Sequence, residues 1–121
     1  MVHDTEGTLA ISTHSSPDGL VVLRLTGELD HYTSPGFRRA VEDVLRDSGA
    51  AVVADLSALD YCDSSGMTAI ITAYRLAQAA GTSFSVAALS EAMTQLFRVA
   101  GLDQVLTLHS SVQEAVDSFS G

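Results

Sequence analysis

The chain has 121 residues and a formal net charge of −9, with no lysine; all six basic residues are arginines. That length suits one compact domain, and 46% hydrophobic against 17% charged residues is the balance of a globular chain rather than a disordered one. The acidic field repels a phosphate backbone and argues against nucleic acid as a partner. The single cysteine, Cys62, cannot form an internal disulfide or a thiolate-built zinc site.

Met1 to Gly7 lacks the basic and apolar regions of a secretory signal. No apolar run approaches the ~20 residues a membrane span needs. A cytoplasmic location with no membrane attachment is expected, as are frayed ends over the first seven or so residues and the last two. Leu9 to His14 alternates apolar and polar residues, Pro17-Asp18-Gly19 is a turn signal, and Leu20 to Leu25 is apolar and β-branched; together they predict a hairpin. Gly27-Glu28-Leu29-Asp30 closes it. Ser34-Pro35 has the form of an N-cap followed by a first-turn proline, and Phe37, Val41, Val44 and Leu45 share one helical face up to Gly49.

Ala51 to Leu56 predicts a strand buried on both faces, and Ser57 to Cys62 a loop. A second helix starts near Ser64, with Met67, Ile70, Ile71 and Tyr74 at i, i+3, i+4 and i+7, and stops at Gly81. Ser83 to Ala88 is a strand. Ser90 caps a third helix whose apolar face is Met93, Leu96, Phe97 and Ala100, with Gly101 as its stop. Val105 to Leu108 predicts the last strand. Ser111 and Glu114 make a capping box before a final helix with a stripe of Val112, Ala115, Val116 and Phe119. The order is ββαβαβαβα. This is an α/β fold with a single mixed, mostly parallel sheet, the first strand being the antiparallel exception. One domain over residues 1–121, with its core at about 8–119, accounts for the pattern.

The segment Asp60-Tyr61-Cys62-Asp63-Ser64-Ser65-Gly66 joins a buried strand to a helix N-terminus. Ligands and partners of open α/β sheets meet this edge. The first N–H groups of a helix are unpaired within it and carry partial positive charge. A phosphate on Ser64 would add roughly −1.5 to −2 charges beside Asp63. At ~4 Å, two unit charges interact by about 1 kcal/mol in water and ~4 kcal/mol at an effective dielectric near 20. The domain alone tolerates such a group; a desolvated interface does not. The same residues are also ordinary helix-start residues, and spacing alone leaves capping and phosphorylation both open.

Tyr61-Cys62-Asp63-Ser64-Ser65-Gly66-Met67 resembles the apolar-apolar-Asp-Ser-Ser/Thr-Gly-Leu signature of the STAS domain of bacterial anti-sigma factor antagonists. Gly27-Glu28-Leu29-Asp30 is similar to that family's second signature, and Phe97-Arg98-Val99-Ala100-Gly101-Leu102 to its third recurrent stretch. The likeness runs from about Leu9 to Phe119. Cys62 and Thr68 depart from the commoner apolar residue and Gly.

The resemblance implies a STAS fold and a regulatory binding protein, not an enzyme. It implies that the unphosphorylated form binds an anti-sigma factor with serine kinase activity and frees a sigma factor. Phosphorylation of Ser64 ends the complex, and a PP2C-type phosphatase resets it. Asp30, Asp63, Ser65 and Gly66 are implied at the partner-facing surface, Ser65 more as a capping or packing residue. No cofactor or metal is implied. An alternative is a STAS scaffold or ligand-binding module without a phosphoswitch.

Other chemistry is weaker. A nucleophilic Ser64 helped by Asp30 or Asp63 lacks a neighbouring histidine and a Gly-x-Ser-x-Gly elbow. His3, His14, His31 and His109 are scattered, although His31 adjoins Asp30. A local turn or cap is the alternative role of Asp30, and Cys62 has the character of a small buried hydrophobe.

Overall fold

A computed structural model describes residues 8–120; the readings on Met1 to Gly7, His3 among them, and on Gly121 lie outside the described residues. Five strands form one sheet in the order β1-β2-β3-β4-β5. They are β1 (Leu9–Ser15), β2 (Leu20–Leu29), β3 (Ala51–Cys62), β4 (Phe84–Ala87) and β5 (Leu108–His109), joined by helices α1 (Ser34–Ser48), α2 (Ser64–Ala79) and α3 (Glu91–Val99) and followed by α4 (Val112–Ser120). β1 pairs antiparallel with β2, and the other pairings are parallel. The expected mixed α/β sheet is therefore the one observed.

Side-chain alternation along the strands divides the core. Val52, Ala54 and Leu56 of β3 face Phe37, Val41, Ile70, Met93 and Phe97 from α1, α2 and α3. Ala51 and Val53 face Ala115 of α4 on the other side. Residues 51–56 are all buried, as their apolar character predicts for a strand covered on both faces.

The main departure lies after Leu56. Ser57 to Cys62, expected as a loop, continues β3, and β2 runs past Leu25 to Leu29 beside it. The pairing steps from Arg24/Asp55 to Thr26/Ala58, then from Gly27/Leu59 to Glu28/Tyr61. Each step places one extra residue on β3, the signature of a β-bulge, and each bulge resets the alternation that marks a strand in sequence. Gly27 lies at this bend with φ +113°, and a Cβ there would stand 2.4 Å from the Thr8 carbonyl oxygen. Only glycine fits such an approach.

Smaller corrections follow from packing. Thr33, not Ser34, occupies the N-cap of α1, and Pro35 sits in its first turn. α2 buries Gly66, Ala69, Ile70, Ala73 and Ala77, while Met67, Ile71 and Tyr74 are only half-buried. Small side chains let this helix lie close, so its buried face is rotated from the expected stripe. In α3, Met93 and Phe97 are buried but Leu96 and Ala100 are exposed. Phe119 of α4 is exposed as well. The last strand is Leu108–His109 rather than Val105 to Leu108, because Leu102–Gln104 forms a 3-10 turn whose end the Val105 N–H closes on Leu102 O at 3.1 Å, with the Leu106 N–H on the same oxygen at 2.8 Å.

Ser90 caps α3 as expected, accepting the Met93 N–H at 3.1 Å. At α4 the Ser111 hydroxyl accepts the Glu114 N–H at 3.0 Å, while the Glu114 carboxylate accepts from Ser110 rather than Ser111, at 2.7 Å. Among the described residues, no helix is long and apolar enough to cross a membrane.

Candidate functional site

Because β2 and β3 are parallel and in register at Leu29 and Cys62, both end at the same edge of the sheet. Asp30 and Asp63 are the residues that leave it. The Asp63 N–H donates to Leu29 O at 3.3 Å and extends the ladder one step. Asp63 then turns with extended dihedrals (φ −97°, ψ −171°), and its Oδ1 accepts the Gly66 N–H at 2.9 Å. This is side-chain capping of a helix start: one orphan donor is satisfied, and a negative charge meets the positive end of the dipole.

Asp63 is thus the N-cap, and Ser64, Ser65 and Gly66 are the first three helical residues. Ser64 is exposed, and among the described residues its hydroxyl has no hydrogen-bond partner; its carbonyl accepts from Thr68 Oγ1 at 3.0 Å. Ser65 is half-buried, and its carbonyl oxygen lies 3.5 Å from the Ser34 hydroxyl oxygen. Gly66 is buried: a Cβ there would stand 2.4 Å from Leu29 O and 2.8 Å from Cys62 Sγ. Its place is the seat of α2 on β2, not the outer surface.

Asp30 organises the β2–α1 loop. Its Oδ1 accepts the N–H of Tyr32 at 2.9 Å and of Thr33 at 3.0 Å, and its own N–H donates to Thr33 Oγ1 at 2.9 Å. The Ser34 hydroxyl also bonds Asp30 O at 2.6 Å. This is the local turn chemistry of an Asx residue.

Cys62 is buried beneath the site. Burial first, and then the Asp63 carboxylate, push its thiol up to about 12, so it stays protonated and unreactive at neutral pH. His31 is exposed and packs edge-on to Tyr32 with ring centroids 5.5 Å apart. His14 is on β1, and His109 is on β5 with its Nδ1 3.6 Å from Glu114, so the described histidines do not converge.

The structure brings Asp30, Asp63, Ser64, Ser65 and Gly66 to one edge. It also adds residues that sequence reasoning passed over. Ser34 brings the first turn of α1 close to that of α2, its hydroxyl oxygen 3.5 Å from Ser65 O. Tyr32 and Tyr61 are exposed aromatics, at 69% and 50%, on the two segments that flank the site. The available signal was position: Tyr61 opens the motif that holds Asp63, and Tyr32 lies two residues past Asp30.

The model of the STAS domain family matches residues 12–115. RsfB, the anti-sigma-F factor antagonist of Mycobacterium tuberculosis, is 28% identical over 115 residues, covering 94% of this chain and 90% of that protein. The crystal structure of an anti-sigma factor antagonist from Mycobacterium paratuberculosis superposes with a TM-score of 0.83 at 26% identity, over 93% of this chain and 95% of that one. The Bacillus cell fate determinant SpoIIAA in its phosphorylated form has a TM-score of 0.69 at 25% identity, over 91% and 99% of the two chains.

Proposed function

This chain belongs to the STAS domain family, and from that premise we propose that it is an anti-sigma factor antagonist switched by phosphorylation of Ser64. The unphosphorylated form binds an anti-sigma factor with serine kinase activity and so frees a sigma factor. The kinase transfers the γ-phosphoryl group of ATP to Ser64 Oγ; the new O–P bond forms as the bond to ADP breaks, and the hydroxyl proton leaves. A PP2C-type phosphatase hydrolyses the ester and restores binding. The domain does this as a single unit over residues 1–121.

One observation carries the reading: Ser64 presents an exposed hydroxyl, unpartnered among the described residues, in the first turn of α2, directly after a carboxylate already committed as the cap. A kinase reaches that hydroxyl without unfolding the helix. The added charge stands beside Asp63, on a chain of net charge −9, so it costs little in water and much in a desolvated contact. Asp63 and Ser65 border the contact, while Asp30 and Gly66 hold its shape. The relatives named as anti-sigma factor antagonists, and the phosphorylated state of SpoIIAA, support the same reading.

Incubation with the cognate kinase and magnesium ATP, followed by phosphopeptide mapping, tests the assignment. Label is expected on Ser64 and is lost in Ser64→Ala. Label on Ser65 instead would move the acceptor by one residue and overturn it.

A further inference from the structure

We propose that Tyr32 and Tyr61 anchor the anti-sigma factor kinase beside Ser64, with Tyr61 and Glu28 together holding a basic side chain of that partner. The proposal rests on the reading of Ser64 as the residue the kinase modifies and says which neighbouring groups supply the affinity.

Phosphoryl transfer needs the Ser64 hydroxyl positioned at the γ-phosphate in a site closed to water, so the surface around it is covered in the complex. An interface of ordinary size covers about 800 Å² on each side, a patch roughly 16 Å in radius. Tyr61 stands three positions before Ser64, so their backbones are at most ~11 Å apart. Tyr32 stands two positions before Ser34, whose hydroxyl oxygen is 3.5 Å from Ser65 O. A patch centred on Ser64 therefore takes in both tyrosines.

Both are poised for contact before the partner arrives. The Tyr32 N–H donates to Asp30 Oδ1 at 2.9 Å, and its ring packs edge-on to His31. Tyr61 is held in the β2–β3 ladder opposite Glu28. Residues fixed in this way lose less freedom on binding. The chain has three Tyr, four Phe and no Trp. Phe37, Phe84 and Phe97 are buried in the core, whereas Tyr32 and Tyr61 are exposed at 69% and 50%. The other exposed aromatic, Phe119, lines a groove with Leu20 and Val52 at the opposite end of the sheet, where β2 and β3 begin. Binding energy concentrates in a few Tyr, Trp and Arg side chains, and these two rings are the large apolar groups offered at the Ser64 edge.

Charge names the group that meets Tyr61. Glu28 is its ladder partner and is exposed, and paired residues of neighbouring strands stand about 5 Å apart. Asp60, the preceding residue, is exposed as well. A guanidinium or ammonium laid on the Tyr61 ring meets the negative face of the ring and the Glu28 carboxylate together. The net charge of −9 favours a partner with such a basic surface.

The test is calorimetric titration of the purified cognate kinase with unphosphorylated full-length variants. Tyr32→Ala and Tyr61→Ala are each expected to weaken binding at least about tenfold. Tyr32→Phe and Tyr61→Phe, which keep the rings, are expected to stay close to wild type, as is Phe119→Ala at the far end of the sheet. Glu28→Gln is expected to weaken binding and to make it less sensitive to added salt. In phosphorylation assays the alanine variants are expected to raise KM with kcat little changed, because the rings bind without touching the reacting atoms. Thermal melting checks folding, and Tyr61→Thr, which retains a strand-forming residue, replaces Tyr61→Ala if the latter does not fold. Wild-type affinity in either ring-deleted variant, or an equal loss in Phe119→Ala, overturns the anchors. Unchanged affinity and salt dependence in Glu28→Gln overturn the basic group at Tyr61. A kinase that phosphorylates Ser64 while ignoring both rings leaves the functional reading standing and sinks this proposal; a wild-type chain that neither binds the kinase nor is labelled by it sinks both.

Discussion

A Cβ on Gly66 would stand 2.4 Å from the carbonyl oxygen of Leu29, so the first turn of α2 is seated against the end of β2 with no room for a methyl group. The obstructing atom is backbone and cannot swing aside. Gly66→Ala is expected to lower the free energy of unfolding by ~1–3 kcal/mol, the usual cost of overpacking. Urea denaturation reads this as a lower midpoint at unchanged slope. An unchanged midpoint would show that the helix does not rest on β2 as described.

Asp63 caps α2 through a single side-chain oxygen. Asp63→Ala is expected to cost about 1 kcal/mol of stability, whereas Asp63→Asn retains an oxygen acceptor and costs less. The two variants also separate capping from charge. If Asp63 borders the partner contact as a carboxylate, Asp63→Asn weakens binding while remaining close to wild type in its urea midpoint.

At Asp30 the same pair of substitutions is expected to behave differently. Its Oδ1 serves the N–H groups of Tyr32 and Thr33, and an amide oxygen can take over both bonds. Asp30→Asn should bind the anti-sigma factor as wild type does, and Asp30→Ala should lose both stability, by about 1 kcal/mol, and affinity. Loss of affinity in a stable Asp30→Asn would mean that the carboxylate itself meets the partner.

The Cys62 thiol gives a pH signature. Its pKa is raised from 9.0 to about 12 in the folded chain, by burial and by Asp63. The unfolded thiol therefore ionises first, and ionisation favours the unfolded state. The thiol's contribution is intact below about pH 9 and is lost progressively as pH rises from there to about 12. Wild type is expected to lose more stability than Cys62→Val between about pH 8 and 10. Equal losses would place the thiol in water.

Much of this was legible in the sequence because local signals agreed with tertiary structure. Ala51 to Leu56 reads as a buried strand and is one, and Ser90 reads as a cap and accepts the Met93 N–H. The edge that carries Asp63 and Ser64 was legible because two short motifs sit at the ends of strands that turn out to be paired. What was hidden depends on nonlocal geometry. The bulges of β3 break the period that marks a strand, so Ser57 to Cys62 looked like a loop. The buried stripe of α2 uses Ala69, Ala73 and Ala77, which a search for large apolar residues passes over. The contact between Ser34 and Ser65 spans 31 positions, and no spacing rule points to it.

Calorimetric titration of a purified anti-sigma factor kinase with this chain, unmodified and phosphorylated at Ser64, addresses the central claim most directly. The unmodified form should bind, and the phosphorylated form should bind at least about tenfold more weakly, a difference of ~1.4 kcal/mol or more. Equal affinity of the two forms would contradict the account.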